Sequence, residues 1–234
     1  MTSSNQSGNS RPYTTPVGLN LVDPIVTLVE CLDSFPQKGA NEVQTSPMEN
    51  GYASAVILLA ACLLEAALNK IKYVDSKLDG EENAKGCRNP LKFFRLRFPD
   101  PKPSDLHQKA TEIFVVRDVI AHSHIWEATL IDNDEEFRLL APQLTKGYGD
   151  DKYTEVVDVA TRKTMLLQLN VFPTKINSLD ALVVLKAALE IFRFIEEEGK
   201  TSRRDYPCVV NRYVKFKDEY PSFGDLVDRL KWGP

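Results

Sequence analysis

The chain has 234 residues, 43% of them hydrophobic and 26% charged. That is enough apolar side chain for one sizeable core, and the expectation is a single domain over residues 19–234. A net charge of −4 argues against a protein that coats nucleic acid through bulk charge, while leaving room for a local basic site. Cys31, Cys62, Cys87 and Cys208 lie far apart with no Cys-x-x-Cys, so neither a disulfide framework nor a structural zinc site is signalled, and a reducing, cytoplasmic setting is expected.

Residues 1–18, MTSSNQSGNSRPYTTPVG, are polar and rich in Ser, Asn and Pro, without the apolar centre of a secretory signal or the arginines of a transit peptide, and read as a disordered tail. A first helix is predicted from about Pro24 to Leu32 by apolar residues at 25, 28, 29 and 32. Ser46-Pro47-Met48-Glu49 has the form of a capping box with proline at the first helical position, and the apolar pattern then runs to about Leu78. Within it the apolar run Ala53 to Leu64 is stopped by Glu65, too short for a bilayer span, so a soluble protein with no membrane contact is expected. Glycines and prolines punctuate residues 80–103, leaving room for one short element at LKFFRLRF, residues 91–98.

Ser104 is the expected cap of a helix reaching at least His122. From Trp126 to Pro173 the pattern turns to β: WEATLI and EFRLLA flank one turn, TEVVDVA and KTMLLQLNV flank another near Thr161-Arg162, so two hairpins are expected in an insertion over about 126–173. Asn177 or Ser178 caps a helix with the stripe Leu182, Leu185, Leu189, Phe192, Ile195, ending at Glu196-Glu197-Glu198-Gly199. A last short helix is predicted from Ser222 to Leu230.

The chemistry concentrates in FVVRDVIAHSHIWE, residues 114–127. On the expected helix Arg117 shares a stripe with Leu106, Ala110, Ile113 and Ile120, and His122 shares one with Val115 and Val119. Between Ile113 and Ala121 the only polar residues are Arg117 and Asp118, which implies an enclosed segment, and an enclosed guanidinium requires a partner. Between Ala53 and Leu68 the only polar residues are Ser54 and Glu65, so a Glu65–Arg117 pair between two packed helices, with Asp118 or Asn69 helping, is the purely structural expectation. His122 adds a second one. An Arg for phosphate charge, a His for proton transfer near neutral pH and Asp118, one turn before His122, to orient it are the parts of a metal-free phosphodiester cleavage.

At these residues the sequence resembles the HEPN superfamily, whose signature is an Arg, usually a polar residue next, and a His after a few more positions near the end of a helix. Here it reads Arg117-Asp118-Val119-Ile120-Ala121-His122, preceded some fifty residues earlier by LLAACLLEAALNKI with its embedded Glu65. The likeness covers about Pro47 to Trp126, with the helix from Ser178 to Glu198 as a further bundle member; the β-rich insertion and the end of the chain lie outside it. The resemblance implies a mainly α fold, a HEPN-like helical bundle interrupted by a β-hairpin-rich insertion. It implies a metal-independent endoribonuclease needing no cofactor, working as a homodimer that brings two motifs to one cleft. Carried over, His122 is general acid/base, Arg117 stabilises the charge growing on phosphorus, Asp118 positions either, and Glu65 orients Arg117. Defence or stress is the setting such enzymes suggest, with a regulatory ligand or an antitoxin as a further partner. In the branch paired with nucleotidyltransferase antitoxins the motif continues His-x-Tyr; this chain has His124 at that place, which removes the residue that branch modifies. The competing expectation is a non-catalytic HEPN-like module that binds a nucleotide or a protein, its Arg/Glu pair structural.

LKFFRLRF mixes Lys92, Arg95 and Arg97 with Phe93, Phe94 and Phe98, a composition suited to single-stranded nucleic acid, yet read first as an amphipathic segment with its aromatics in the core. Arg203-Arg204 and Arg212, Lys215, Lys217 read as solvated charge. No Walker A loop, dinucleotide fingerprint, His-Glu-x-x-His or Gly-x-Ser-x-Gly is present, and the three histidines, His107, His122 and His124, are too few for a multi-histidine metal site in one chain.

Overall fold

The computed structural model of the chain describes residues 17–35, 45–78, 89–122, 126–133, 136–144, 151–158 and 160–231. It is mainly helical. A 3-10 turn at Val17–Leu21 leads into α1 (Val22–Leu32), which begins two residues before the predicted start and buries Ile25, Val26, Val29 and Leu32. Val17 and Gly18, expected in the tail, therefore belong to the fold; residues 1–16 lie outside the described residues.

The helix α2 (Pro47–Leu78) occupies the predicted span and forms the axis of the molecule, packed against α1, α4 (Leu106–Ala121) and α6 (Ser178–Ser202). Its capping box is half formed. Ser46 Oγ accepts from the Glu49 N–H at 3.4 Å, but the Glu49 carboxylate turns to accept from the N–H and hydroxyl of Ser178, joining the starts of α2 and α6. Among the described helices α2 alone is long and apolar enough by composition to cross a bilayer, and half of that apolar stretch is buried against its neighbours. Gly18 seats the 3-10 turn directly on it: a Cβ there would lie 2.5 Å from that of Ala66.

LKFFRLRF forms α3 (Pro90–Arg97), capped by Asn89, whose side chain accepts from the N–H groups of Leu91 and Lys92. Phe93, Phe94 and Phe98 enter the core as expected, Phe94 and Phe98 meeting edge to face with centroids 5.6 Å apart. The predicted cap of α4 needs correction. Position Asp105, not Ser104, precedes the first helical residue, and its side chain makes no cap bond, pairing instead with Lys109 at 3.0 Å. Lys109 also bridges to Glu190, tying α4 to α6.

The first predicted hairpin is present: β1 (Trp126–Asn133) pairs antiparallel with β2 (Glu136–Leu144), with a bulge between Glu127 and Thr129. The second is far smaller than expected. Thr154 to Val156 belong to a helical turn, α5 (Asp151–Val156), and only Val157–Asp158 (β3) and Lys163–Thr164 (β4) pair. The reason lies on α4, where the fully buried Glu112 carboxylate accepts from the N–H groups of Leu166 and Leu167 at 2.8 and 2.7 Å and draws that segment off the ladder.

Asn177 caps α6 in a complete capping box with Asp180. The helix continues past the predicted stop to Ser202, because two residues of that stop, Glu196 and Gly199, face the interior. Glu196 turns inward to accept from Val209 N–H at 2.6 Å and Val210 N–H at 2.7 Å, and Gly199 lies under Tyr206, whose Cβ would be 2.9 Å from a Cβ added there. The last described helix is α7 (Phe223–Arg229), capped by Ser222, where the sequence predicts a helix from Ser222.

Candidate functional site

Helix α4 is buried on all sides from Ala110 to Val116 and then emerges, so the expected enclosure holds for only half of the motif segment. Arg117, Asp118 and Ile120 are half-buried, and Ala121 and His122 are exposed. Emergence removes most of the cost of a buried guanidinium.

The Glu65–Arg117 pair between α2 and α4 is formed, Arg117 donating to Glu65 Oε2 at 3.3 Å. Arg117 Nε also lies 2.8 Å from Asp118 Oδ1, a close charge contact whose angle leaves the buried Nε–H without a hydrogen-bond acceptor. The guanidinium carbon stands 5.0 Å from the Phe114 ring centre, which fixes the plane of the group from below. Three of the four expected site residues thus form one cluster. His122 is the cap residue of α4, its N–H donating to the Asp118 carbonyl at 3.0 Å, and its ring stands at the exposed end of the helix. His124 and the side chains of the hairpin that follows lie outside the described residues.

A second Arg–carboxylate cluster escaped the sequence reading. Asp75 of α2, 2% exposed, accepts from Arg97 Nε at 2.5 Å, from Arg204 at 2.5 Å and from the Tyr206 hydroxyl at 2.8 Å, while Arg97 also donates to the Tyr206 oxygen at 2.9 Å. Arg204, expected to be solvated, is a structural counter-ion. Burial, and then the hydrogen bond to Asp75, push the Tyr206 phenol up to about 12. Burial works against the Arg97 charge, yet the hydrogen bonds and charge interactions with Asp75 and Tyr206 together outweigh it and hold the guanidinium above its ordinary value. The signal in the sequence was an acid at helical spacing from the buried Leu64, Leu68 and Ile71; its partners lie 22, 129 and 131 positions away.

Two further features bear on chemistry. His107 packs edge-on against Phe94 with centroids 5.1 Å apart, and burial lowers its pKa, favouring a neutral ring in the core. An open cavity of 540 Å³ lies between the 216–219 turn and the end of α7, where Lys217 pairs with Asp33 and Arg229 with Glu219. Neither involves the motif residues. Among the described residues no group of three His, Cys, Asp or Glu is placed to hold a metal ion. No family model matches the chain, and neither do the curated proteins or the solved structures with which it was compared.

Proposed function

We propose that the protein is a HEPN-like, metal-independent endoribonuclease whose site is completed by a second copy of the chain. The observation that carries this reading is the placement of the motif: the half-exposed Arg117 guanidinium is held by Glu65, Asp118 and Phe114 at the rim of the helical core, and the exposed His122 follows at the end of the same helix. One His122 takes the proton from the RNA 2′-OH as its oxygen attacks phosphorus. The His122 of the second copy gives a proton to the departing 5′-oxygen, and the strand parts leaving a 2′,3′-cyclic phosphate. Arg117 stabilises the phosphorane charge, and Glu65 and Asp118 hold its planar fork. DNA lacks the attacking hydroxyl and survives.

A competing reading has its own observation. Two carboxylates around one guanidinium neutralise the Arg117 charge internally and leave a local negative charge, the arrangement of a structural pair in a non-catalytic module that binds a nucleotide or a protein. The two are separated by incubating purified protein with labelled single-stranded RNA in EDTA, beside its all-deoxy counterpart and beside His122→Ala checked for an unchanged oligomeric state. Cleavage of RNA by wild type alone supports the ribonuclease; cleavage that survives in His122→Ala removes the assignment.

A further inference from the structure

The solvent-facing row of α2 changes character at the Arg117 pair. Before it stand Gly51, Ala55, Leu58 and Cys62; beyond Glu65 stand Asn69, Tyr73 and Lys77, one per turn. Tyr73 is 43% exposed, and the Lys77 ammonium stands 5.6 Å from its ring centre. Asp75, the acid nearest in sequence, is turned into the core and neutralised by Arg97 and Arg204, so it does not offset the lysine on the outer face. A helical rise of about 1.5 Å per residue puts Tyr73 roughly 12 Å and Lys77 roughly 18 Å beyond Glu65 along the helix axis, on an i, i+4 ridge inclined to that axis.

We propose that Asn69, Tyr73 and Lys77 form a track for single-stranded RNA leading to Arg117, with a base stacked on the Tyr73 ring and a backbone phosphate on Lys77. The inference rests on the ribonuclease reading for its direction and on α2 itself for its chemistry. A flat, exposed phenol beside an ammonium is the pairing that holds a strand without reading its sequence: every base has a face to stack, and every linkage carries a charge. Asn69, between Tyr73 and the ion pair, adds an amide able to donate to a phosphate or accept from a ribose hydroxyl. The polar row begins where the guanidinium stands, so a strand laid on it delivers its next phosphate to Arg117.

Binding is read apart from cleavage, by fluorescence anisotropy of a short fluorescein-labelled oligouridine in EDTA, on the His122→Ala background so that nothing is cut. Tyr73→Ala is expected to weaken binding about tenfold or more, while Tyr73→Phe, which keeps the ring, binds as the parent does. Lys77→Ala is expected to reduce the slope of log Kd against log salt by about 0.7, the signature of one lost phosphate contact on a single strand. Tyr73 is exposed enough for these variants to fold, and an unchanged melting temperature verifies it. Wild-type affinity in Tyr73→Ala overturns the track, as does a parent that binds no oligouridine, or a Tyr73→Ala variant whose sedimentation shows that the row joins two chains. Tyr73-dependent binding without cleavage by the wild-type protein leaves the track standing and removes the ribonuclease; cleavage with Tyr73-independent binding does the reverse.

Discussion

Two arginines of this protein are held by carboxylates of the same helix, α2, ten residues apart, and they are held differently. Arg97, its own side chain 30% exposed, meets an aspartate that is 2% exposed and already shared with Arg204 and Tyr206, so each carboxylate oxygen is engaged and the acid is sealed. Arg117 meets a glutamate whose side chain is 37% exposed, and its own side chain is 25% exposed. The first cluster fastens the segment after α6 to the far half of α2. The second stands where α4 leaves the core, beside an exposed histidine. Burial of the acid separates a charge pair that exists for the fold from one that retains room to act on something else.

The sharpest way to test this contrast is at the open site. His122→Ala is expected to reduce RNA cleavage by about 10²–10⁴-fold, the range for loss of a positioned general acid or base, with the melting temperature unchanged because the ring is exposed. The measurement is single-turnover cleavage of labelled RNA in EDTA, beside thermal melting.

The sealed site predicts the opposite pattern. Asp75→Ala leaves two guanidiniums facing each other without their shared acid, and the expected loss is about 3–5 kcal/mol of unfolding free energy in urea. Cleavage per folded molecule should be retained, since Asp75 faces away from the row that leads to Arg117.

Tyr206 extends the contrast to pH. Its folded pKa of about 12 stands above the ordinary value of 10, so the neutral phenol is the form that folding favours. The stabilisation is complete below about pH 10 and is lost as pH rises through the folded value near 12. Denaturant midpoints measured from pH 9 upward should therefore fall, and Tyr206→Phe should flatten that fall while costing about 1 kcal/mol at neutral pH for its lost hydrogen bonds.

The open cluster was legible in the sequence for a physical reason: from Ala53 to Leu68 of α2 Glu65 is the one charge, and from Ile113 to Ala121 of α4 only Arg117 and Asp118 are charged, so each had few others to pair with. The span of α2 was legible because Ser46 and Pro47 mark its start and an unbroken apolar period marks its length. The Asp75 cluster was not, because Arg97 and Arg204 sit among other basic residues and only the fold brings them to one carboxylate. Glu112 and Glu196 were missed likewise. An acid whose partners are backbone N–H groups of a distant loop has no complementary residue for a sequence reading to find: Glu196 reads as part of a helix stop, and nothing singles out Glu112. Those same bonds explain why the second hairpin is short and why α6 runs on.

The smallest expected effect decides most about Arg117. A half-exposed pair is worth at most about 1 kcal/mol, so Arg117→Ala should shift the melting temperature by no more than about 4 °C in a chain of this size. If Arg117 serves the reaction, cleavage falls by orders of magnitude while the fold barely registers the change, and Glu65→Gln, which keeps the shape of the carboxylate arm and removes its charge, gives an intermediate loss with still less effect on melting. If Arg117 is there to close the seam between α2 and α4, its removal leaves Glu65 and Asp118 as two facing acids, melting falls by more than that bound, and Glu65→Gln in the same chain restores part of it. The double variant therefore reads the coupling directly: recovery of stability marks a structural pair, and a loss of cleavage no greater than that of Arg117→Ala alone, without recovery of stability, marks a guanidinium held out for a phosphate.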